Sequence, residues 1–475
     1  MTYTRLIKAL QRAGIQATPP NGDRGLWTIR STNGEGIQAE ILLPPDLPLE
    51  IKAVQQLLDL ACVTHPNGGH VSKVCASPDF HPGDSGIAIG SIVASDDLVI
   101  PQAIGTDINC GMRLHLLDVP LDRFLEKKAL FVDAMKGDFF FGTRDVTMRS
   151  EEARALVQGG LPGWLLEHDR QHGQVAQSDW DQLLSETDKV HWDGSLSGSL
   201  TWAPEHLLKE GLVRDGGLAT IGGGNHFVEV LMVDQIMDKA TAYQWAPSIQ
   251  EGQLAFMVHS GSRMIGKGIG KNWFDRAKGA WPKGVPHPTS GIFPLSRTYT
   301  PDLVASYLEA EATASNYGFL NRMLLAECMR LRIREIFGSG VEAPLVYDIP
   351  HNVTVIEDGR ILSRKGACPA RDGHPVIIPG SMGTASYLLK GLGSDVLCQS
   401  ASHGAGRMYS RQGTMHRTDV ASSLGGVECI TLREERRIEE APAAYKPIQP
   451  VIESQVRAGI VSVVARMTPL LTFKG

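Results

Sequence analysis

The chain has 475 residues, is 42% hydrophobic and carries a formal net charge of −6. That charge argues against a protein whose whole surface binds nucleic acid, so a polyanion site would have to be a local basic patch. Seven cysteines occur without a CxxC pair, which is typical of a reducing compartment rather than of a disulfide framework. No apolar stretch reaches the roughly 18 residues of a membrane span, and the N-terminus has no cleavable signal. We expect a cytoplasmic protein that does not contact a membrane.

The first 60 residues predict a small N-terminal element. MTYTRLIKALQRAGI has the periodicity of an amphipathic helix, GLWTIRS and IQAEILLP have that of strands, and PLEIKAVQQLLDLA predicts a second helix. From residue 65 to 115 the chain is rich in glycine, histidine and proline. The apolar runs IAIGSIVA and LVIPQAI in that stretch predict buried strands joined by glycine turns.

The stretch 120–215 has a different character. It is charged, contains tryptophan and follows a helical pattern in LDRFLEKKALFVDAM, EEARALVQ and DWDQLLSETDKV. It carries few residues in chemically suggestive settings. We therefore expect a largely helical peripheral insertion.

Strand patterns return in HFVEVLMV, QLAFMVHS and PLVYDI, and one long helical stretch over 301–337 is ended by Gly338. Neither an internal repeat nor an interdomain linker is apparent. The order of elements predicts an α+β fold and one catalytic domain over 1–475. Within it, 1–60 is the small N-terminal element and 120–215 the insertion.

An aspartate and a cysteine stand three residues apart in GTDINCGM. The glycines beside Asp107 and Cys110 would let this loop curl, so that the carboxylate binds one divalent ion while the thiolate bridges two. A buried structural cysteine and a turn aspartate explain the same pattern. Taken alone, the pair favours that structural interpretation.

Four histidines lie in short glycine- or asparagine-rich settings, GGGNHFVEV, VHSGSR, PHN and SHGAGR, which supply His226, His259, His351 and His403. With Asp107 and Cys110 they form a set suited to a transition-metal centre. Each histidine alone could equally be a hydrogen-bonded core residue. Only a folded core could bring together residues that lie nearly 300 positions apart.

Two segments have the character of a site for a phosphorylated ligand. A nucleophilic histidine needs open space and nearby positive charge, and SHGAGR supplies both through its glycines, Arg407 and Arg411. PGSMGTAS is a second glycine- and serine-rich loop that could wrap a base or a phosphate. Both could instead be flexible surface loops. GKGIG matches neither phosphate-loop spacing and is set aside, whereas His81 in HPG stays open.

The motifs SPDFHPG, GTDINCGM, GGGNHFVEV, VHSGSR, HN, PGSMGTAS, SHGAGR and AYKPI occur in the order of the RtcB family of RNA ligases. The chain resembles that family from about residue 78 to its end. The resemblance implies a mixed α+β fold with central β-sheets around a dinuclear manganese site and peripheral helices. It also implies a GTP-dependent ligase that joins RNA 2′,3′-cyclic phosphate or 3′-phosphate ends to 5′-hydroxyl ends, in RNA repair or tRNA splicing.

The resemblance also assigns roles to individual residues. His403 would be the nucleophile that takes GMP from GTP, and Cys110 would bridge two Mn²⁺ ions. The metal ligands would be Asp107, Cys110, His226, His259 and His351. Guanylate contacts would come from Asn225, His226, Glu229, His351, Asn352, Pro379, Gly380, Ser381, Met382, Ser386, His403, Gly404, Ala405, Gly406 and Lys446. RNA or triphosphate oxygens would be held by Arg263, Arg407 and Arg411. Some family members need an archease-type activator.

The chain departs from the family pattern at several positions. Asn109 stands where the family usually has glycine, SPD replaces MPD, and the 150–215 region is divergent. These changes spare every presumed ligand and the nucleophile. Two alternatives stay open: a metal-dependent phosphodiesterase or phosphohydrolase that acts on RNA ends without GTP, and an inactive paralogue that binds RNA ends or metals.

Overall fold

The computed structural model describes residues 3–20, 25–44, 46–415, 423 and 428–475. Within these ranges the chain forms a mixed α and β structure, and no helix there is long and apolar enough to cross a membrane. The α-helices are α1 (Tyr3–Arg12), α2 (Ile51–Ala61), α3 (Leu121–Phe140), α4 (Ser150–Glu167), α5 (Trp180–Ser185), α6 (Lys239–Trp245), α7 (Arg263–Gly279), α8 (Pro301–Phe337), α9 (Arg411–Met415), α10 (Glu434–Glu439) and α11 (Ile448–Arg457).

Most strands belong to two large sheets. The strands are β1 (Ile15–Thr18), β2 (Leu26–Ser31), β3 (Ala39–Leu42), β4 (Val71–His81), β5 (Ile89–Ser95), β6 (Leu98–Val99), β7 (Gly111–Leu117), β8 (Met148–Arg149), β9 (Leu212–Val213), β10 (Phe227–Ile236), β11 (Leu254–Ser260), β12 (Leu295–Ser296), β13 (Leu345–Pro350), β14 (Asn352–Glu357), β15 (Arg360–Lys365), β16 (Ala367–Pro369), β17 (Pro375–Ile378), β18 (Ser386–Gly391), β19 (Ser400–Ser402), β20 (Cys429–Ile430) and β21 (Val461–Phe473). The first sheet has the order β1-β2-β3-β4-β5-β15-β14. The second has the order β13-β7-β11-β10-β21-β18-β17, and β20 pairs with β21.

The second sheet is covered on both faces, as the side chains of β11 show, because alternate residues of this strand belong to two different hydrophobic cores. In β11, Ala255 and Met257 belong to the hydrophobic core that also contains the buried side chains of the first sheet. Leu254, Phe256 and Val258 belong instead to a core shared with α3, α4 and α8. Successive side chains of a strand point to opposite faces, so this sheet lies between the first sheet and a layer of helices.

Helix α8 spans Pro301–Phe337, as the sequence pattern predicts, and ends at Gly338. It is buried on nearly all sides through its middle third, because α3, α4, α7 and β11 all pack against it. A helix that is covered all round needs no amphipathic stripe. This explains why α8 carries small and apolar residues on every face.

The stretch 120–215 contains α3, α4 and α5, followed by single turns of 3₁₀-helix. Its pattern predicts a longer helix in DWDQLLSETDKV, but α5 ends at Ser185. Side chains of α3 and α4 such as Phe124, Leu156 and Trp164 are fully buried in the core shared with α8. The short ribbon of β8 and β9 joins the two ends of the 148–213 stretch.

Candidate metal and nucleotide centre

The residues proposed from sequence as metal ligands meet at one edge of the second sheet. Cys110 directly precedes β7, His226 directly precedes β10, His259 lies near the end of β11, and His351 directly follows β13. These four strands are neighbours in the order β13-β7-β11-β10, and every pair is antiparallel. The starts of β7 and β10 therefore meet the ends of β11 and β13. Strand pairing alone brings together side chains that are up to 241 positions apart in the chain (110 to 351).

The side chains form two groups that share one thiol. One group is Asp107, Cys110 and His226, and the other is Cys110, His259 and His351, and within each group the ligand atoms lie within 4.8 Å of one another. Sγ of Cys110 is 3.2 Å from Nε2 of His226 and 3.1 Å from Nε2 of His259. Oδ2 of Asp107 lies 2.9 Å from Nε2 of His226. A thiol common to two ligand groups is suited to bridging two metal ions.

The far sides of two imidazoles fix which of their nitrogens can bind a metal. Nδ1 of His226 donates to the carbonyl of Ile221 at 3.0 Å, and Nδ1 of His259 donates to the carbonyl of Asn225 at 3.1 Å. A carbonyl only accepts, so Nδ1 of each ring carries a proton, and Nε2 is the nitrogen that faces the other candidate ligands. Metal-bound histidines have this outer hydrogen bond. His351 differs, because its Nδ1 is buried with no hydrogen-bond partner among the described residues. A metal ion bound at that nitrogen would satisfy it.

The ionisation of these groups agrees with that fit. Burial, followed by the neighbouring imidazoles, lowers the pKa of His259 and His351 well below the ordinary value, so both are neutral ligands. Burial alone would raise the pKa of Asp107, but His226 outweighs it and the net pKa is lowered. Burial, assisted by Asp107, raises the pKa of the Cys110 thiol well above its ordinary value. A coordinating metal ion reverses that last effect, because it deprotonates a thiol outright.

The loop that carries Asp107 and Cys110 is held closely from behind. Gly261 packs against it so tightly that a Cβ there would lie 2.7 Å from Oδ1 of Asp107 and 3.0 Å from Cα of Cys110, so a larger residue would displace this loop. Nδ2 of Asn352 donates to the carbonyl of Asp107 at 3.0 Å. Asn109 has a φ of 51°, a left-handed conformation that asparagine adopts more readily than most residues. This explains how asparagine fits the backbone conformation at position 109.

His403 follows β19 and lies beside the metal-binding groups. Its ring centroid is 4.8 Å from that of His351. Nδ1 of His403 donates to Oδ2 of Asp79 at 2.7 Å, and Oγ of Ser77 donates to Oδ1 of the same carboxylate at 2.5 Å. Asp79 is fully buried in β4 of the first sheet. The sequence analysis gave no role to Asp79 of SPDFHPG, since only the tertiary contact between β4 and the segment of β19 brings it to His403.

A cavity of about 620 Å³ opens in front of His403. The residues proposed from sequence that line it are Asn225, Glu229, His259, Pro379, Gly380, Ser381, Met382, His403, Gly404, Ala405, Gly406, Arg407 and Arg411. PGSMGTAS and SHGAGR therefore form cavity walls rather than flexible surface loops. Glu50, His81, Tyr409, Glu440 and Lys474 also line the cavity, and sequence reasoning had assigned none of them a role.

Six other residues proposed for ligand contacts do not line this cavity. Two of them, His226 and His351, belong to the metal-binding groups, and the other four contact the protein. Asn352 supports the Asp107 loop. Oγ of Ser386 accepts from the amide of Gly380 at 3.1 Å. Nζ of Lys446 donates to two backbone carbonyls of β4, at 3.2 and 2.5 Å. Arg263, the first residue of α7, donates from Nε to the hydroxyl of Thr220 at 3.1 Å. In the described conformation all four support the walls of the site.

One buried carboxylate, Glu440, holds the positive charges of the cavity in place. Oε1 of Glu440 accepts from Arg407 at 3.1 Å and from Arg411 at 3.3 Å, and Nζ of Lys474 lies 3.5 Å from Oε2. The hydroxyl of Tyr445 also donates to it. Burial would raise the pKa of Glu440, but Lys474 and the two arginines outweigh burial and lower it to about 2. Three cations around one carboxylate leave this wall of the cavity positively charged.

A second carboxylate in the cavity has the opposite environment. Glu229 is 4% exposed, and its Oε1 accepts a hydrogen bond of 2.6 Å from Oγ1 of Thr472. Burial raises the pKa of Glu229 to about 7, since the hydroxyl and Lys474 compensate only in part. Such a carboxyl gains from a ligand that brings its own hydrogen-bond donors.

Comparison with known proteins agrees with this geometry. Residues 56–475 match the family model described as tRNA-splicing ligase RtcB. The RNA-splicing ligase RtcB of Mycobacterium tuberculosis is 32% identical over 444 residues, which cover 86% of this chain and 98% of that protein. The tRNA-splicing ligases RtcB of Thermococcus kodakarensis and Archaeoglobus fulgidus are 31% and 32% identical, over 84% and 90% of this chain and 86% and 92% of those proteins. The chain belongs to the RtcB family.

Proposed function

We propose that this protein is a GTP-dependent RNA ligase. It would join RNA 2′,3′-cyclic phosphate or 3′-phosphate ends to 5′-hydroxyl ends, in RNA repair or tRNA splicing, with His403 as the carrier of GMP. The observation that carries this proposal is the position of His403. It lines the cavity whose wall of Arg407, Arg411 and Lys474 is positively charged, and its ring lies beside the candidate metal-binding groups. A hydrolase that acts without GTP would not need a histidine that accepts GMP.

The donor set fits two Mn²⁺ ions. Asp107, Cys110 and His226 would hold one ion, Cys110, His259 and His351 would hold the other, and Cys110 would bridge them. When bound, the ions would neutralise triphosphate charge and polarise phosphoryl oxygens. The backbone carbonyls of Ile221 and Asn225 keep the rings of His226 and His259 oriented whether or not the ions are present.

The proposed first step follows from the hydrogen bond between His403 and Asp79. Because Nδ1 donates to the carboxylate, the lone pair of the neutral ring lies on Nε2. Nε2 attacks the α-phosphorus of GTP, an N–P bond forms, and the bond from that phosphorus to the bridging oxygen breaks with release of pyrophosphate. The ring then carries a positive charge, which Asp79 stabilises.

The later steps transfer this GMP to RNA. An oxygen of an RNA 3′-phosphate attacks the phosphorus of the adduct, the N–P bond breaks, and the RNA end becomes activated with GMP as its leaving group. The 5′-hydroxyl of the second RNA end then attacks the 3′-phosphorus, and GMP departs as the phosphodiester forms. A cyclic phosphate must first take up water to give a 3′-phosphate. Positioning and charge dominate phosphoryl transfers of this kind.

The cavity walls suit a guanylate. Glu229 could accept two hydrogen bonds from the N1–H and N2–H groups of guanine, as carboxylates do with paired donors. The backbone of Pro379–Met382 and of Gly404–Gly406 comes close to the cavity because these loops carry small residues. Arg411 and Arg407 would attract the phosphates.

The test is incubation of the protein with α-³²P-GTP and Mn²⁺, followed by denaturing electrophoresis. We expect an acid-labile label on the wild type, no label on His403→Ala, and normal labelling of His374→Ala, which removes an exposed histidine. Purified protein would then be given RNA oligonucleotides with defined ends, with and without an archease-type activator. Cleavage of RNA 2′,3′-cyclic phosphate without GTP and without any label would instead support the phosphodiesterase alternative.

A further inference from the structure

A second cluster of metal-binding side chains lies away from the proposed centre. Glu152 lies in the first turn of α4, and His168, Asp169 and His172 follow the end of the same helix. Their ligand atoms all lie within 4.8 Å of one another. Glu152, His168 and His172 are 1%, 4% and 8% exposed. Among the described residues, none of these four lines the nucleotide cavity.

The separations of the ligand atoms match a small coordination sphere. Nε2 of His172 is 2.8 Å from Oε1 of Glu152 and 3.5 Å from Oδ1 of Asp169. Nε2 of His168 is 4.0 Å from the same Oε1 of Glu152. In a tetrahedral site with bonds of 2.0–2.1 Å, neighbouring ligand atoms are about 3.3 Å apart. The three distances lie on both sides of that value and within about 0.7 Å of it, so side-chain adjustments of that size would bring these atoms to tetrahedral spacing.

The charges around this cluster favour a cation. Two carboxylates converge, and Arg149 pairs with only one of them, through a bond of 2.7 Å to Oδ2 of Asp169. Among the ion pairs of the described residues, Glu152 contacts only the two imidazoles. Its other oxygen, Oε2, accepts the backbone N–H of Arg149 at the start of α4. A carboxylate this deeply buried needs positive charge close to it.

The outer hydrogen bonds indicate how each imidazole would bind. Nδ1 of His172 lies 2.8 Å from Oγ1 of Thr147, an arrangement typical of a metal-bound histidine. Nδ1 of His168 accepts the amide of Arg170 at 2.9 Å, whereas ligation through Nε2 requires a proton on Nδ1. Arg170 has a strained φ of 61°. A flip of the 169–170 peptide would bring that φ to the extended region and turn the carbonyl of Asp169 toward Nδ1.

We propose that Glu152, His168, Asp169 and His172 form a structural Zn²⁺ site that fastens the two ends of α4 together. A closed set of two imidazoles and two carboxylates is suited to tetrahedral Zn²⁺. The helix needs such a fastening, because its backbone is not helical at Gly160 and Pro162 lies within it. Leu161 and Trp164 of the same helix pack into the core shared with α8. This site is independent of the proposed ligase reaction.

The experiment measures Zn²⁺ by mass spectrometry after loading and desalting. All proteins carry Cys110→Ala, which weakens the other centre equally in each. We expect the parent to retain about one more Zn²⁺ per chain than the variant with His168→Ala and His172→Ala. The control is His206→Ala, which removes a half-exposed histidine of the same region and should retain the parent's content. Equal retention by the parent and the double variant would overturn the proposal.

A second variant separates metal loss from misfolding. Glu152→Gln keeps the size of the side chain and an oxygen that accepts the Arg149 amide, but removes the charge. We expect it to fold, by circular dichroism, and to lose both the Zn²⁺ and the rise in melting temperature that Zn²⁺ gives the parent. If folded Glu152→Gln protein keeps the parent's Zn²⁺ and visible Co²⁺ spectrum, the cluster is not the site. None of these measurements needs GTP or RNA, so they stand whether or not the protein proves to be a ligase.

Discussion

Nδ1 of His403 donates a hydrogen bond of 2.7 Å to Oδ2 of Asp79, a carboxylate with no solvent exposure. The two residues belong to different layers, since Asp79 lies in the first sheet and His403 follows a strand of a short ribbon. The backbone amide of His403 donates to the same oxygen at 3.3 Å. Both the direction of the ring and the position of its proton are therefore set by Asp79.

The first prediction concerns this pair. Asp79→Asn keeps an acceptor for Nδ1 but removes the charge that stabilises the ring once it carries GMP. Hydrogen bonds to charged groups contribute about 1.5–3 kcal/mol, so the rate of adduct formation should fall by about 10- to 100-fold. The measurement is the single-turnover rate of labelling with α-³²P-GTP.

The matched control is Asp358→Asn, an exposed turn residue in a left-handed conformation that asparagine tolerates. It should label at the wild-type rate. Equal labelling rates for Asp79→Asn and the wild type would show that the carboxylate does not act on the ring. GTP affinity, measured separately, should change little in either variant.

The second prediction is a pH dependence set by Glu229. The folded-state pKa of Glu229, about 7, exceeds the ordinary value of 4.5. Burying this side chain therefore lowers the free energy of unfolding at any pH where the carboxyl ionises in the unfolded chain. The cost is absent below pH 4.5, grows as the pH rises, and is complete above pH 7, where it reaches about 3 kcal/mol. Glu229→Gln should therefore raise the free energy of unfolding at pH 8 but not at pH 4.5, as measured by denaturant titration.

The same substitution should weaken nucleotide binding. Glutamine offers one acceptor and one donor where guanine needs two acceptors, so affinity for GTP should fall by at least about tenfold. Wild-type affinity should itself fall as the pH drops below 7, because the carboxyl becomes protonated. If calorimetry gave Glu229→Gln wild-type affinity at pH 8, this carboxylate would not contact the base.

The third prediction tests the shared thiol. Cys110→Ala removes the side chain that the two metal-binding groups of the described residues share. We expect Mn²⁺ content, measured by mass spectrometry, to fall and adduct formation to be lost. Cys368→Ala, which removes another buried cysteine, is the control and should retain both. Unchanged Mn²⁺ in Cys110→Ala would exclude the thiol as a bridge.

Much of this centre could be predicted from the sequence. Strand patterns in HFVEVLMV, QLAFMVHS and PLVYDI locate His226, His259 and His351 at strand ends, and the loops around them are glycine-rich. Periodicity also predicts the long helix α8 and its end at Gly338. These features are local, because they depend on residues that are close together in the chain.

The parts that were missed depend on contacts between distant segments. Asp79 contacts His403 across 324 positions of the chain. Glu440 pairs with Arg407, Arg411 and Lys474, which come from the loop before α9, from α9 and from the C-terminal end. No period or motif spacing encodes either contact. Lys446 and Ser386 were proposed as ligand contacts from resemblance, but their side chains bond to backbone groups in the described conformation. Tertiary contacts decide the positions of Asp79, Glu440 and Lys446, whereas Ser386 bonds within its own loop, to the amide of Gly380.

The fourth prediction concerns Asn109. Its Nδ2 donates to the carbonyl of Ser315 at 3.1 Å, and its Oδ1 accepts from Arg322 at 2.9 Å. Asn109→Ala loses both bonds and puts alanine in a left-handed conformation, a combined loss of about 3 kcal/mol. Asn109→Gly loses the same two bonds, but glycine adopts the left-handed conformation without strain. It should therefore be more stable than Asn109→Ala by about 1 kcal/mol. Urea denaturation measures both, and the reverse order of stability would contradict the role given to φ.

The fifth prediction tests Glu440 through both substitution and pH. Removing one partner of a buried ion pair typically costs about 3–5 kcal/mol, and Glu440→Gln would leave Arg407, Arg411 and Lys474 without their shared carboxylate. Because the folded pKa of about 2 lies below the ordinary 4.5, the stabilisation is fully present above pH 4.5 and is lost as the pH falls toward 2. The stability difference between wild type and Glu440→Gln should therefore be large at pH 7 and smaller at pH 3, by denaturant titration. A difference that stays constant with pH would mean that Glu440 contributes packing rather than charge, and the positive wall of the cavity would then need another explanation.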